Sequence, residues 1–348
     1  MPARGEILIA TAGPMSGPYL TFGDQYLRGA ELAVEDLNAR GGLLGQKVRL
    51  VVGDDACDAE QAVALARKLA GEGAVLVVGH YCSGASIPAS KVYEEQGILM
   101  ISPGSTNPRL TDEGGDNVFR VCGRDDAQGA IAGAYLAERW GGKRIAILHD
   151  QTAYGEGLAS ETRKELDRLG VSPIIYAPYE PGLRDYSPVA DKLAAAQIDV
   201  VYIGGYSTEA ALILRQAHDM GFPVRLVSGD AIITDDFWTI AGAAGEGTRM
   251  TYFPDARKTP QAAETVAAFR AQGYEPEGNT LYAYAAVQTW AQAVARAGSL
   301  ELDQVIAALR SATFDTVLGD VAFDRKGDVI ATSFIWYSWK SGRYEEVQ

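Results

Sequence analysis

Cysteine and histidine, the residues that build most metal and redox sites, are scarce in this sequence. The chain of 348 residues contains 3 of each. His80, His149 and His218 are far apart, and no pair of them has the spacing of zinc ligands. Cys82 closely follows His80, but two ligands do not complete a tetrahedral site. We therefore predict no metal site and no cofactor.

Basic clusters and long apolar runs are also missing. The chain has 31 Lys and Arg residues against 45 Asp and Glu residues, and the resulting net charge of −14 opposes binding to nucleic acid and to anionic lipid. No run of about 18 apolar residues is present, so the sequence predicts no membrane insertion. A hydrophobic content of 47% with 22% charged residues is typical of a soluble globular protein.

Enzyme motifs are incomplete. Gly205-Tyr-Ser207-Thr-Glu209 lacks the last glycine of a nucleophile elbow, and Gly155-Glu-Gly157-Leu-Ala-Ser160 ends in serine where a dinucleotide fingerprint has glycine. The stretch Asp54-Asp-Ala-Cys-Asp58 lacks the alternating ligands of an EF-hand. A hydrolase that uses Ser83 or Ser207 is one alternative, but neither serine has a histidine in a recognisable motif. We expect a protein that is not an enzyme.

The sequence does contain a repeated alternation of strand and helix patterns, and its length suggests two domains. Short apolar runs predict strands covered on both faces, with segments of helical period between them. The predicted strands are 7–10, 48–52, 75–79, 98–101, 144–148, 173–176, 200–204 and 224–227. The predicted helices are 24–38, 58–69, 128–139, 156–169, 186–196, 208–220, 261–272, 280–297 and 302–310, and a further short helical pattern separates the strands 75–79 and 98–101. Such βαβ repeats require parallel sheets with right-handed crossovers.

The rhythm breaks between Thr111 and Asp125, and we interpret Phe119 to Asp125 as the connection that leaves the first domain. The last helical patterns start no new strand series, so we expect them to complete the first lobe, and we expect a closing hairpin from Phe334 onward. The predicted fold class is α/β, with two similar doubly wound parallel-sheet lobes joined by three hinge crossings near Val121, Phe253 and Ile330. The predicted lobes are 1–121 with 254–330, and 122–253 with 331–348.

Small hydroxyl residues follow two predicted strands of the first half. Ser83 comes after the third strand, and Gly104-Ser105-Thr106 comes after the fourth. The carboxyl ends of parallel strands border the ligand crevice of such sheets. Ser86 as a helix cap, with Pro88 just inside the helix, would direct free N–H groups into the same crevice. The stretch therefore indicates a site for a small carboxylate, unless these residues only cap helices and form turns.

Three strand ends of the second half carry polar groups of another kind. Asp230 follows the last predicted strand and is suited to neutralise a ligand ammonium. Tyr154 and Tyr206 follow two other strands and supply flat walls with one hydroxyl each. The alternative is a turn aspartate in a surface loop and two core tyrosines.

Cysteine positions bear on the cellular compartment. Cys57 and Cys82 each follow a predicted strand, so a bridge between them is possible and would contribute roughly 3 to 4 kcal/mol, with buried free thiols as the alternative. Cys122 has no partner under either interpretation. The first residues run straight into a strand, so we expect either a cytosolic protein or numbering that begins at a mature start. The cysteines favour numbering that begins at a mature start.

Matching segments of one family run through nearly the whole chain. They are Met15-Ser-Gly-Pro18, Gly23-Asp-Gln25, Gly41-Gly42, Asp54-Asp-Ala-Cys-Asp58, Gly79-His80, Cys82-Ser83, Pro88-Ala-Ser90, Gly97-Ile-Leu-Met-Ile101, Tyr154-Gly-Glu-Gly-Leu-Ala159, Tyr206, Leu214-Arg-Gln-Ala217 and Asp315-Thr-Val317. By these segments the sequence resembles the branched-chain amino-acid (Leu/Ile/Val-type) binding proteins, periplasmic receptors that serve ABC importers. The resemblance implies a type I two-lobed clamp, a Cys57–Cys82 disulfide, a periplasmic monomer and a membrane permease as partner.

The same resemblance implies a set of ligand contacts. Ser83 and Thr106 would hold the α-carboxylate, and the carbonyl of Gly104 would accept from the α-ammonium. Tyr154 and Tyr206 would line the pocket together with Phe22. The full set of candidate ligand-binding residues is Phe22, Tyr81, Ser83, Gly104, Ser105, Thr106, Tyr154, Tyr206, Asp230 and Asn279.

The chain departs from the leucine-type receptors at three of these positions. Asp230 stands where they place a glutamate, so its carboxylate reaches about one methylene less far and leaves room for a water. Tyr81 takes a position that is aliphatic in them, and Asn279 falls near one that is aromatic. We expect an amino acid as ligand. Because both changes make the pocket more polar, small, polar and γ-amino acids are candidates beside leucine.

A ligand-sensing domain of a receptor or regulator with the same fold is the alternative function. Sugar-responsive repressors of this fold carry an N-terminal helix-turn-helix, which is absent here, and the acidic net charge opposes DNA binding.

Overall fold

The protein consists of two compact α/β units. A computed structural model describes residues 5–330 and 333–347. Unit 1 comprises Met1–Gly123 and Asp255–Thr332, and unit 2 comprises Arg124–Pro254 and Ser333–Gln348. Residues 1–4, 331–332 and 348, which the predicted lobe bounds include, lie outside the described residues.

The described residues form strands and helices in strict alternation over most of the chain. The strands are β1 (Ile7–Gly13), β2 (Val48–Asp54), β3 (Leu76–Val78), β4 (Leu99–Ser102), β5 (Val118–Arg120), β6 (Ile145–His149), β7 (Ile175–Pro178), β8 (Val200–Gly204), β9 (Arg225–Ser228), β10 (Arg249–Tyr252), β11 (Phe314–Thr316), β12 (Gly319–Val321), β13 (Ile335–Lys340) and β14 (Arg343–Val347). The helices are α1 (Leu20–Ala39), α2 (Ala59–Gly71), α3 (Ser83–Gln96), α4 (Arg109–Asp112), α5 (Asp125–Trp140), α6 (Ala153–Arg168), α7 (Ser187–Ala195), α8 (Ser207–Asp219), α9 (Asp235–Ala241), α10 (Ala263–Ala271), α11 (Thr280–Ala297) and α12 (Leu302–Ser311).

The main sheet of unit 1 has five strands in the order β2-β1-β3-β4-β5, and every pairing is parallel. All residues of β1, β3, β4 and β5 are buried, which confirms that the uniformly apolar runs are strands covered on both faces. The expectation that residues 119–125 form only a connection is wrong at its start, because Phe119 and Arg120 belong to β5. A strand of three residues is too short to show a period.

The sheet of unit 2 has seven strands in the order β14-β13-β10-β9-β8-β6-β7. Five neighbouring strands, β10, β9, β8, β6 and β7, pair in parallel. The other two, β13 and β14, run antiparallel to their neighbours. The predicted closing hairpin is therefore confirmed, and it extends this sheet through β10. The predicted α/β class with two doubly wound sheets holds for both units.

Two helix starts illustrate how local chemistry sets the boundaries. Asp58 caps α2, and its side chain accepts from the backbone N–H of Gln61 at 2.8 Å. The expectation that Ser86 caps the next helix is wrong, because α3 begins at Ser83 with Cys82 at the cap position. Ser86 lies one turn into this helix, where it is buried and hydrogen-bonded to the hydroxyl of Ser105.

Apolar side chains from both faces of each sheet form the two cores. In unit 2 all five residues of β8 are buried, and Leu158 and Ala159 of α6 are fully covered. In unit 1 the helices α1 and α11 pack together, and Gly29 of α1 leaves the space that the backbone of Thr280 occupies. Within the described residues, no helix is long and apolar enough to cross a membrane.

Candidate functional site

Hydroxyl groups tie together the two loops of unit 1 that follow β3 and β4. The Ser105 hydroxyl donates to the carbonyl of Tyr81 at 2.8 Å. The backbone N–H of Asn107 donates to the hydroxyl of Ser83 at 3.3 Å. The structure therefore brings the predicted residues Ser83, Ser105 and Thr106 into one group at the carboxyl edge of the sheet, where they are buried.

Thr106 has an unusual environment within this group. Its side chain is buried, and among the described residues its Oγ1 atom has no hydrogen-bond partner. A buried hydroxyl without a partner costs about 1 to 3 kcal/mol. A water or a ligand can complete the hydrogen bonding of such an atom.

Aromatic residues stand beside this hydroxyl group. The rings of Phe22 and Tyr81 are stacked with centroids 4.0 Å apart, and Tyr26 meets Tyr81 edge-on at 5.9 Å. Gly104 is in close contact with three of the surrounding side chains: a Cβ atom there would lie 2.6 Å from the Tyr26 hydroxyl, 3.2 Å from the Tyr81 ring and 3.3 Å from the Asn279 amide nitrogen. Phe22, Tyr81, Gly104 and Asn279 are thus neighbours, as a common site requires.

Asn279 is placed by a contact between distant parts of the chain. Its backbone N–H donates to Oε1 of Gln25 at 2.9 Å, and Gly278 before it has a φ of +55°. A side chain at Gly278 would also collide with Gln25, at 2.4 Å from its Oε1 atom. Glycine is therefore required at this turn, both for its conformation and for its close approach.

A fully buried histidine supports the loop after β3. Nδ1 of His80 lies 2.5 Å from Oδ2 of Asp55, and its Nε2 atom lies 2.8 Å from the hydroxyl of Tyr93. The carbonyl of His80 accepts from the hydroxyls of Ser102 and Ser105, each at 3.0 Å. His80 therefore has a structural role in the loop. Burial and the charge of Asp55 raise the pKa of Tyr93.

The predicted disulfide anchors the same loop. Cys57 and Cys82 are bonded, with Cα atoms 5.4 Å apart and a sequence separation of 25. This confirms the bridge and settles the choice that the spacing left open. The thiol of Cys122 is buried, 3.6 Å from the carbonyl of Ser105.

In unit 2 the predicted residues surround one buried carboxylate. Oδ1 of Asp230 accepts from the hydroxyl of Tyr154 at 2.8 Å and from the amide of Gln128 at 3.0 Å. Burial raises the pKa of Asp230, and both hydrogen bonds oppose the shift. The ring of Tyr206 lies 5.1 Å from that of Tyr154, so all three predicted residues belong to one group.

Helix starts position the two tyrosines. Tyr154 lies in the first turn of α6, whose cap Thr152 accepts from the N–H of Gly155 at 3.0 Å. Tyr206 is the cap residue of α8.

Asp150 accepts from both the N–H and the hydroxyl of Thr152, at 2.9 and 2.7 Å. Burial raises the pKa of Asp150 to about 6.

Gln128 was not among the predicted residues, although its amide nitrogen donates to both Asp230 and Thr251. The Oε1 atom of Gln128 is buried and has no hydrogen-bond partner in the described part of the chain. Tyr26 was not predicted either. One glutamine in the first turn of a helix and one tyrosine inside a helix carry no pattern that separates them from ordinary residues. Groups of three or more metal-ligand residues are not found among residues 5–330 and 333–347.

Two α/β units with polar groups at the carboxyl edges of their sheets define a class of two-domain solute-binding proteins. The chain belongs to the family described as periplasmic binding protein, whose sequence model matches residues 6–343. It is 44% identical to Leu/Ile/Val-binding protein homolog 1 of Brucella suis, an alignment that covers 99% of this chain and 94% of the relative.

Two further comparisons agree. A leucine-, isoleucine-, valine-, threonine- and alanine-binding protein of Pseudomonas aeruginosa is 39% identical, over 97% of this chain and 91% of the relative. The crystal structure of a leucine binding protein, LivK, from Thermotoga maritima superposes with a TM-score of 0.91 at 27% identity and covers 98% of each chain. The recognition of the branched-chain amino-acid type from the sequence is thereby confirmed.

Proposed function

We propose that this protein is a periplasmic receptor that binds a free amino acid and delivers it to the permease of an ABC importer. The observation that carries the proposal is the contrast between the two groups of residues. Unit 2 offers a buried carboxylate, Asp230, while unit 1 offers hydroxyl groups, among them the unsatisfied hydroxyl of Thr106. A zwitterion has one end that suits each group.

The carboxylate of the ligand would be bound by unit 1. The hydroxyls of Ser83 and Thr106 are donors that suit a carboxylate, and the ligand would give Thr106 a hydrogen bond that none of the described residues provides. Ser105 serves as a support, since its hydroxyl is already engaged with the backbone of the preceding loop. The carbonyl of Gly104 is assigned to the ammonium.

The ammonium of the ligand would be bound by Asp230. A charge-assisted hydrogen bond in a buried place is roughly twice as strong as a neutral one. Tyr154 and Gln128 already orient the carboxylate through Oδ1, so that Oδ2 is the oxygen assigned to the ligand. The ring of Tyr206 would cover the ligand beside that of Tyr154.

Binding would favour a closed arrangement of the two units, because a ligand that contacts both groups stabilises the arrangement in which both contacts are made. A dissociation constant of one micromolar corresponds to about 8 kcal/mol, which charge-assisted hydrogen bonds at both ends can supply. In this proposal the protein acts as a monomer and changes no bond of its ligand.

The side chain of the ligand would meet Tyr81, Phe22 and Asn279. The stacked rings fill space that an aliphatic residue would leave open, and Asn279 adds an amide near Gly104. We therefore expect small or polar amino acids, or a γ-amino acid, to bind at least as well as leucine.

Isothermal titration against the twenty common amino acids and γ-aminobutyrate tests the proposal. The protein is first unfolded, dialysed and refolded so that no copurified ligand occupies the site. We expect saturable binding of at least one amino acid with one site per chain. Refolded protein that binds none of them would overturn the proposed function.

A further inference from the structure

Thr106 lies between two carbonyl groups that one buried arginine holds. Nη1 of Arg120 donates to the carbonyl of Ser105 at 2.8 Å and to the carbonyl of Asn107 at 3.0 Å. Arg120 is 0% exposed and ends β5. The backbone on each side of Thr106 is therefore attached to the same nitrogen atom.

The guanidinium of Arg120 is itself held from the opposite side. Its Nε atom donates to Oδ1 of Asp328 at 2.6 Å, and its Nη2 atom donates to the hydroxyl of Thr111 at 2.5 Å. That hydroxyl in turn lies 2.8 Å from Oδ1 of Asp328. Asp328 is 208 positions away from Arg120 in sequence, so tertiary structure alone brings this pair together.

We propose that Arg120 is a positioning residue of the binding site, which fixes the backbone around Thr106 so that the Thr106 hydroxyl is directed at the carboxylate of the bound amino acid. This inference rests on the proposed function, because it concerns the carboxylate end of the same site. Arg120 contacts the loop through the backbone and acts on the ligand only through Thr106.

The chemistry of the contact requires arginine. A planar guanidinium presents five N–H donors in a fixed fork, and here the three nitrogen atoms reach Asp328, Thr111 and the two loop carbonyls at once. A lysine ammonium has three donors on a single atom and cannot span these acceptors. A buried cation that served only to balance Asp328 would need no contact with the loop carbonyls.

A double-mutant cycle tests the inference. Arg120→Lys, Thr106→Val and the combined variant are titrated with L-leucine, L-alanine and γ-aminobutyrate, beside the wild-type protein. We expect Arg120→Lys to weaken binding of the tightest probe at least about tenfold, and Thr106→Val to weaken it by about the same factor. The combined variant is expected to lose clearly less than the product of the two factors, because both changes act on one contact.

A matched control separates this effect from a general loss of an arginine. Arg310 also belongs to unit 1, where its Nη2 atom lies 2.7 Å from Oδ1 of Asp116 at the surface. Arg310→Lys is expected to leave affinity unchanged. Melting temperatures of all variants without ligand report any structural damage separately. If Arg120→Lys does not fold, Arg120→Met with Asp328→Leu replaces it in the cycle, since an apolar pair avoids an uncompensated buried charge.

The outcomes are distinct. Factors that multiply in the combined variant, or wild-type affinity in Arg120→Lys, would show that Arg120 does not act through Thr106. Wild-type protein that binds none of the probes would contradict the proposed function, and the inference would fall with it.

Discussion

The hydroxyl of Tyr154 donates to Oδ1 of Asp230 across 2.8 Å, and both side chains are buried. The bond gives the carboxylate a fixed direction. Gln128 donates to the same oxygen, and the proposed function assigns the second carboxylate oxygen to the ligand. This arrangement leads to the first prediction.

Replacement of Asp230 by asparagine is expected to weaken amino-acid binding about tenfold to a hundredfold, because a hydrogen bond to a charged group contributes about 1.5 to 3 kcal/mol. Titration calorimetry at pH 7.5 measures the loss. Asp230→Glu keeps the charge and is the control, with a smaller loss expected. Equal affinity of the wild-type protein and Asp230→Asn would refute the assigned role.

The same residue gives wild-type binding a pH dependence. Burial raises the pKa of Asp230, and only the ionised carboxylate attracts an ammonium. Affinity is therefore expected to fall as the pH decreases through this raised pKa. In Asp230→Asn the affinity should change less over the same pH range, which titrations of both proteins at a series of pH values would measure.

Tyr81 is expected to set the size of the ligand side chain. Its ring is stacked on Phe22 and touches the position of Gly104, so Tyr81→Leu opens space beside the backbone of the site. We expect the ratio of affinities for L-leucine and L-alanine to shift toward leucine by about tenfold, which is the usual effect of a methylene or two in an apolar pocket. Tyr135→Leu in unit 2 should leave the ratio unchanged. A constant ratio in Tyr81→Leu would rule out this role.

Asp150 is expected to make stability depend on pH. Burial, with the charge of Glu209, raises its pKa to about 6 in the folded protein, and the unfolded value is about 4. Between these values the folded state holds a proton that the unfolded state releases, so stability decreases as the pH rises from about 4 to 6. The contribution amounts to about 3 kcal/mol and is fully lost above pH 6.

Asp150→Asn tests this linkage. An asparagine oxygen can still accept from Thr152, and it carries no charge near Glu209. Relative to the wild-type protein, the variant should gain free energy of unfolding as the pH rises from about 4 to about 6.5. Denaturant unfolding at several pH values measures the difference. Parallel curves for the two proteins would contradict the assignment.

The disulfide is expected to stabilise unit 1. Cys57→Ser with Cys82→Ser opens a loop of 25 positions, and the chain-entropy estimate for such a loop is about 3 kcal/mol. The melting temperature should fall by several degrees. A reducing agent should lower the melting temperature of the wild-type protein and leave that of the double variant unchanged. Equal sensitivity of both proteins to the reducing agent would argue against a stabilising bridge.

Sequence patterns were sufficient for most elements. Helix α11 has the predicted bounds, and β8 has them too, because a long run of helical period and a short apolar run between turns are strong local signals. The short strands β5 and β10 were not predicted. Each has too few residues to show a pattern and is defined by its hydrogen bonds to neighbouring strands. β5 pairs with β4, and β10 pairs with β9 and β13.

For the candidate site, the sequence located residues that follow strands and did not locate contacts that span the chain. Ser83 and Asp230 could each be placed at the carboxyl edge of a sheet because the ends of parallel strands lie along one edge, and their roles in binding stay predictions. Ser86 was given the wrong role, since the sequence does not show that the helix begins one turn earlier. Gln128 and Arg120 stayed hidden because their partners lie up to about two hundred positions away.

Local periodicity and short sequence segments were enough to predict the α/β class, most of the strands and helices, the resemblance to branched-chain amino-acid receptors and the candidate polar groups. Three features depend on the folded arrangement: Tyr154 and Gln128 both donate to Oδ1 of Asp230, the Thr106 hydroxyl has no partner among the described residues, and Arg120 holds the backbone on both sides of Thr106. These are matters of distance and direction between remote residues, and only packing sets them.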